Sequence, residues 1–481
     1  MKRVSTWIVV IVLLTISLSH AAEVAQSEGW VSLFDGKTLS GWKAAEHPES
    51  ITVHDGAIVL DGPRAHLFYT GDVAGADFRN FELKAGVMTT PGANSGLYFH
   101  THYQETGFPS KGYEVQINNT YTGHGNYYEF KKTGSLYGIR NQFKSIVRDN
   151  EWFTVRVIAE GKRIRVSVNG TPVVDYTEPG EPARIGRDGG RFLSHGTFAM
   201  QCHDPKSKVF FRDLLVKPLP DDLSPAAEEL PVVDRRYRQI LDLQRRNFPL
   251  IDFHVHLKGG LTLEEALANS RKTGINYGIA PNCGLGFPIT DDEGIYKFVE
   301  SMKGQPAFLG MQAEGREWVN LFSKEAIGKF DYVFSDAMTF TDDRGKRIRL
   351  WVEKEVAFDD KQAFVEMCVD KIVSVISNEP IDVYVNATFL PACISDEYDV
   401  LWTPRRMQRV IDAAVKHDVA IEINARYRIP NVAFIKRAKA AGVKFTFGTN
   451  NGGKELGRLE YCLDVVEQCG LTWKDMFVPG R

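Results

Sequence analysis

Cysteine, charge bias and long apolar runs are all scarce in this 481-residue chain, and each scarcity removes a class of explanation. The six cysteines, Cys202, Cys283, Cys368, Cys393, Cys462 and Cys469, are scattered, and none falls in the Cys-x-x-Cys spacing of a structural zinc site. Export permits disulfides without requiring them. Cys462 and Cys469 stand about two turns apart on a predicted helix, too far to bridge each other, and most of the six are expected as buried thiols. A formal net charge of −3 supplies no basic field for nucleic acid and no polybasic tether for a membrane surface. Small, neutral partners fit better. There is no internal repeat and no low-complexity segment. What is present is a globular composition, 43% hydrophobic and 25% charged, in a chain too long for one ordinary core. Two domains are expected.

The longest apolar run, Trp7 to Leu18, follows Lys2 and Arg3 and precedes Ser19-His20-Ala21. This is the pattern of a secretory signal peptide over residues 1–22, with an uncleaved anchor as the competing reading. The run is short for a membrane span, and no cysteine stands at the cleavage region for a lipid. A secreted or periplasmic protein with no stable membrane anchor after cleavage is the expectation.

Residues 28–217 consist of short alternating stretches broken by Gly, Pro, Asn and Asp, the signature of an antiparallel sandwich. The clearest hairpins pair Trp152–Ile158 with Ile164–Val168, and then turn at Asn169-Gly170 into Val173-Val174. Residues 218–247 are punctuated by Pro218, Pro220 and Pro231 and end in an arginine-rich helix from Asp234 to Arg246, and are predicted to link the halves. Residues 248–481 alternate strands with amphipathic helices. The strands are predicted at Leu250–Leu257, Ile275–Ala280, Phe308–Glu314, Tyr332–Met338, Asp382–Phe389, Val419–Ala425 and Lys444–Thr449, and helices at Thr262–Thr273, Asp360–Ser377 and Pro404–His417. Alternation of this kind predicts a closed or nearly closed parallel barrel with its chemistry at the carboxyl ends of the strands.

Two stretches of the first half concentrate polar chemistry: Ser95-Gly-Leu-Tyr-Phe-His-Thr-His102 and Tyr113-Glu-Val-Gln-Ile117. Period-two alternation puts Tyr98, His100 and His102 on one face, and Glu114 and Gln116 on one face of the second strand. Such a face suits a sugar. The competing reading has Glu114 and Gln116 simply facing solvent and the tyrosines packing. The run Gly29-Trp-Val-Ser-Leu-Phe-Asp-Gly-Lys-Thr-Leu-Ser-Gly-Trp42, then Asn94-Ser-Gly-Leu-Tyr-Phe99, Gly112-Tyr-Glu-Val-Gln-Ile117, Gly134-Ser-Leu-Tyr-Gly138, Val168-Asn-Gly170 and Gln201-Cys-His-Asp204 resembles the 3-keto-disaccharide hydrolase domains. That resemblance implies a concanavalin-like jelly-roll sandwich acting on glycosides oxidised at carbon 3. His100 departs from it, standing where the family usually has Arg.

A carbon-3 ketone acidifies the hydrogen on carbon 2, so the glycosidic oxygen can leave by elimination and water can add back. This route needs a base, donors for the enolate oxygen and an acid for the leaving group. Glu114 is the candidate base and His203, beside Asp204, the candidate acid. Tyr98, His100, Gln116, Tyr137 and Arg140 are candidates for binding the substrate. Alternatively, Glu114, Gln116 and His203 ligate a divalent ion, and spacing does not decide between the two.

In the second half, Asp252-Phe-His254-Val-His256 ends the first strand, Glu314 the third, and Asp336 stands at the end of the fourth. These residues, with Ile421-Glu422-Ile423-Asn424, resemble the PHP metal-dependent phosphoesterases, seven-stranded barrels of TIM type. The matching positions are His254, His256 and Glu314, and a single divalent metal held there, with Asp336 as a further candidate ligand, is one reading. Yet Gly448-Thr449-Asn450-Asn451-Gly452 stands where that family ends in Gly-Thr-Asp-x-His, Pro281-Asn282-Cys283 stands where a His is expected, and the fifth strand carries Asn386. Asn offers an oxygen but no charge, so a multinuclear cluster would be under-neutralised. One metal, of unknown identity, or none, are both open. The sequence therefore predicts an enzyme cleaving 3-keto-glycosides or 3-keto-disaccharides, with a carbohydrate-binding sandwich attached to a metal-dependent or degenerate barrel hydrolase as the alternative.

Overall fold

The computed structural model describes residues 29–182, 189–223, 230–342 and 345–480. The predicted signal peptide lies outside them. Chain contacts divide the protein between Val233 and Asp234 into two compact units.

The first unit is a sandwich of two antiparallel sheets. Its larger sheet runs Thr171–Thr177, Arg163–Val168, Phe153–Glu160, Phe81–Thr89, Lys208–Pro218, Ala57–Asp61, Ile51–His54, with Val31–Ser32 paired to Lys208–Pro218. The smaller runs Trp42–Glu46, Ala65–Tyr69, Thr197–Cys202, Asn94–Thr101, Tyr113–Asn118. The two differ in burial. In the strand Phe81–Thr89, buried Phe81, Leu83, Ala85 and Val87 alternate with partly exposed neighbours, as expected of a sheet with one wet face. By contrast, every residue of Asn94–Thr101, Tyr113–Asn118 and Thr197–Cys202 is buried. Both faces of the small sheet are covered. Leu97, Phe99 and Val115 face the core, so the polar side chains on the other face have been taken out of bulk water, which the fold tolerates only if they are partnered.

The second unit closes a parallel barrel from Ile251–Val255, Asn276–Ile279, Phe308–Ala313, Tyr332–Ser335, Val383–Tyr384, Ala420–Asn424 and Phe445–Gly448, the last pairing with the first. The second strand is interrupted at Pro281, which lacks a ladder donor, and resumes as Asn282–Cys283 beside Phe308–Ala313. The helices Leu263–Thr273, Lys361–Asn378 and Pro404–His417 coincide closely with the amphipathic patterns. The first is closed by a capping box between Thr262 and Glu265. The arginine-rich helix, Arg235–Arg245, is capped by Asp234, and Arg235 pairs with Asp464 and Glu467 of the last helix. It is counted with the second unit.

Candidate active site

Tyr98 and Glu114 are direct cross-strand partners, as are Gly96 and Gln116, so these four positions share the covered outer face of the small sheet. Next across the sheet, Ala199 lies opposite Tyr98, and Gln201 lies opposite His66. Glu114 is only 5% exposed. Its carboxylate bends over Gly96, where an added Cβ would come within 2.6 Å of Oε1. Only a residue without a side chain leaves that space.

Burial pushes the Glu114 carboxyl above the usual carboxylate range, against the opposing pull of the Arg191 guanidinium and the Tyr98 hydroxyl. Arg191 Nη2 stands 3.5 Å from Glu114 Oε2. Gln201 donates to the Tyr98 hydroxyl at 2.9 Å, which fixes the phenol beside the carboxylate. Gln116 donates to Asn94 Oδ1 at 2.6 Å. Tyr137 follows the same strand, its amide donating to the Glu114 carbonyl at 2.9 Å. Its ring lies between Lys131, with Nζ 4.3 Å from the centroid, and Arg191, with Cζ 5.8 Å away. Beyond it, Glu129 accepts from Lys131 Nζ at 3.2 Å and from Tyr127 and Tyr137. Lys131 is 1% exposed, and its burial lowers the ammonium pKa against the pull of Glu129. His203 Nδ1 sits 2.6 Å from Asp204 Oδ2, with the ring against Phe108 and Tyr121. A carboxylate whose proton affinity is raised by burial, a cation and a phenol beside it, and an Asp-oriented imidazole are the group types that proton transfer requires.

The structure gathers Tyr98, Glu114, Gln116, Tyr137 and His203 but sends three expected residues, His100, His102 and Arg140, elsewhere. His100 adopts φ +55° at a register shift against Thr197–Cys202, an irregularity that breaks the period-two alternation. Its ring turns into the interior, 5.6 Å from Phe81, and bonds the Arg79 carbonyl at 2.8 Å. Burial there lowers its pKa to about 4. His102, beyond the irregularity, is exposed and pairs with His195 rather than with Tyr98. Arg140 packs its guanidinium over Tyr176, on the side of Tyr113, the residue that alternates away from Glu114. Arg191 holds the place foreseen for it. Arg191, Glu129, Lys131 and His66 escaped the sequence reading. The first three lie outside the main sheet strands, where no alternation marks a face, and His66 sits in an otherwise apolar strand.

At the barrel mouth, His254, His256, Glu314 and Asp336 are all buried at the carboxyl ends of their strands. Yet among the described residues no three His, Cys, Asp or Glu side chains converge as a metal-holding group. The reason lies in their partners. His254 Nδ1 meets Glu422 Oε1 at 2.6 Å, and Glu422 also accepts from the Asn386 amide and Asn424 Nδ2. Asn386 Nδ2 donates to Asp336 at 2.9 Å, and Asn282 Nδ2 to Glu314 at 2.7 Å. His256 Nδ1 bonds the Ala280 carbonyl at 2.7 Å, while Asn451 binds the His256 backbone. These bonds hold both imidazoles through Nδ1 and place one amide on each of Glu314 and Asp336, and Nε2 of His254 is buried with no hydrogen-bond partner among the described residues. Burial and the nearby Asp336 push the Glu314 carboxyl up to about 8. The four residues expected to hold a metal thus stand at strand ends, each hydrogen-bonded to a neighbour.

Comparison with known proteins gives a graded result. One curated relative, a 3-keto-disaccharide hydrolase from Bacteroides thetaiotaomicron, is 31% identical over 80 residues, covering 15% of this chain and 28% of that protein. The chain thus spans less than a third of the relative's length. Among solved structures, a candidate glycosyl hydrolase from Parabacteroides distasonis is 24% identical, covering 41% of this chain and 97% of its own, with a TM-score of 0.36. Histidinol phosphate phosphatase from Lactococcus lactis is 13% identical, covering 47% and 95%, with a TM-score of 0.35. Residues 29–217, the sandwich that carries the Glu114 face, match the model of the 3-keto-alpha-glucoside-1,2-lyase-like domain.

Proposed function

We propose that the protein cleaves 3-keto-glycosides or 3-keto-disaccharides on the Glu114 face of the sandwich. The observation that carries this reading is one buried carboxylate with raised proton affinity, flanked by Arg191 and Tyr98 and sharing its face with the His203–Asp204 pair. Glu114 removes the proton on carbon 2. The electron pair moves into the enolate, whose carbon-3 oxygen is held by the Arg191 guanidinium and the Tyr98 hydroxyl. As the bond from carbon 1 to the glycosidic oxygen breaks, His203 delivers a proton to the departing oxygen, and Asp204 steadies the imidazolium. Elimination leaves an enone. Water then adds its oxygen at carbon 1 and gives its proton to His203 while Glu114 returns its proton to carbon 2, which completes hydrolysis and restores both groups to their starting states. No step passes through a metal.

The barrel we read as PHP-like with its metal ligands replaced, a reading supported by the amide network around His254 and Glu422. The basic and apolar leader supports export to the periplasm or beyond. The second functional reading, a carbohydrate-binding sandwich serving a barrel hydrolase, is supported by the His254 Nε2 left open at the barrel mouth. The test is incubation of the full chain with a 3-keto-glucoside, following release of the aglycone, for the wild type and Glu114→Gln. Turnover that collapses in the variant is expected. Binding without turnover in the wild type would sink the proposal in favour of the second reading.

A further inference from the structure

His66 is 0% exposed, and neither of its ring nitrogens has a hydrogen-bond partner among the described residues. An imidazole buried in that way carries the full cost of its lost hydration. With its pKa lowered to about 4 by burial, it is neutral at ordinary pH, one nitrogen donating and the other accepting. Rings surround it, Tyr98 at 5.8 Å, Phe68 at 6.3 Å and Phe108 at 5.7 Å between centroids, and Glu46, Arg64 and His203 act on its charge without bonding it. Its hydrogen-bonding capacity is unused among the described residues.

Phe108 is the opposite case, a large apolar side chain left 47% exposed. It is not exposed through looseness. Gln104 ties its loop, donating to the carbonyls of Thr106 and Phe108 at 2.8 Å each and accepting from the Ser110 amide at 3.0 Å. The Arg64 guanidinium covers one side of the ring at 5.0 Å. The ring also lies 6.2 Å from His203, which is flanked by Tyr121 at 5.8 Å. A rigid loop thus presents an aromatic ring next to the proposed acid and the partnerless imidazole.

Chemistry fixes the order along this face. The hydrogen on carbon 2 must meet Glu114, and the glycosidic oxygen on carbon 1 must meet His203, so whatever that oxygen carries continues past His203 toward Phe108. Resting on the proposed activity, we infer that Phe108, His66 and Tyr121 form the leaving-group subsite, and that it takes a planar aryl aglycone bearing a hydroxyl. Phe108 and Tyr121 pack on the ring, and His66 bonds the hydroxyl. A second sugar as leaving group is the competing occupant.

The inference is tested by binding, so that it does not depend on turnover. The full chain is titrated calorimetrically with methyl glucoside, 4-hydroxyphenyl glucoside and a glucosyl disaccharide, none of them oxidised and none consumed. The hydroxyphenyl glucoside is expected to bind about tenfold tighter than the methyl glucoside, the order of one good aromatic contact plus a hydrogen bond. Phe108→Ala and His66→Phe should each remove most of that difference while leaving methyl glucoside affinity within about twofold. Equal affinity for the two glucosides, a preference that survives both substitutions, or a stronger preference for the disaccharide would each overturn the inference. Turnover of a 3-keto-glucoside, and its loss in Glu114→Gln, is read separately. Failure of the activity and failure of the subsite are therefore distinct results.

Discussion

The sandwich face and the barrel mouth both bury a histidine beside a glutamate, and they do opposite things with it. At the barrel mouth His254 and Glu422 are in contact at 2.6 Å, and Asn386 and Asn424 occupy the other carboxylate oxygen. The charge there is neutralised within the fold. On the sandwich face Glu114 has only a 3.5 Å approach from Arg191 and a phenol, while His66 has no hydrogen-bond partner among the described residues. The lesson is that buried polarity alone does not mark a working site. What separates the two is how much of the polarity is satisfied within the fold: at the mouth the carboxylate and one imidazole nitrogen are paired and Nε2 of His254 is left over, whereas on the sandwich both nitrogens of His66 are left over among the described residues.

The largest effect that tests this contrast is on the sandwich. Replacing Glu114 by Gln keeps its shape but removes the base, and turnover of a 3-keto-glucoside should fall by about 10²–10⁴-fold with substrate affinity retained. A residual rate above one tenth of wild type would mean that another group takes the proton.

The complementary break is Glu422→Ala in the barrel. It leaves His254 Nδ1, the Asn386 amide and Asn424 Nδ2 facing a void, and should destabilise the barrel by about 3–5 kcal/mol in urea unfolding. Sandwich turnover under native conditions should stay within about twofold. If stability is unchanged, the mouth is not held together as described.

Acid sharpens the difference further. His66 and His100 have folded pKa values lowered by burial to about 4 from 6.5, so below pH 6.5 the unfolded chain binds protons that the folded one refuses. Stability contributed by their neutral forms is complete above about pH 6.5 and is lost as pH falls toward 4, by about 1.4 kcal/mol per pH unit for each histidine. Denaturant midpoints measured between pH 7 and pH 4.5 should show this slope, reduced by one histidine's share in His66→Phe. An unaltered slope in that variant would count against the buried neutral state.

Arg191→Ala removes a positive charge that holds the Glu114 carboxyl down, so the acid limb of the kcat/KM profile should move to higher pH. A limb that stays in place would separate Arg191 from the base. The smallest expected effect is of a chelator on the barrel. Because the donors at the mouth are tied to amides, treatment with EDTA should leave its unfolding transition unshifted, and a shift of several degrees would show that a metal had been part of it.

Much of this architecture was legible in the sequence because it rests on periodicity. The barrel strands announced themselves as short apolar runs between amphipathic helices, and the pairing of Tyr98 with Glu114 followed from alternation along two strands. The site was legible only while that regularity lasted. His100 was misplaced because one positive φ at a register shift reverses every face beyond it, and nothing in Tyr-Phe-His-Thr declares a left-handed residue. Arg140 was singled out because it follows Tyr137 and the Gly-Ser-Leu-Tyr-Gly motif, whereas Arg191, which no motif marks, reaches Glu114 from a segment 77 positions away in the chain. His254, His256, Glu314 and Asp336 do lie at the strand ends where alternation and element order put them. Their hydrogen bonds to Asn282 and Asn386 belong to tertiary structure, which spacing does not encode.

Gly96 deserves a last consideration in terms of how such a site can be switched off. The base is positioned by an absence: its carboxylate lies in the volume that any other residue at 96 would fill. A single methyl group there collides with the Glu114 carboxylate without adding charge, so under the proposed function one carbon atom at position 96 is enough to move the base off its substrate.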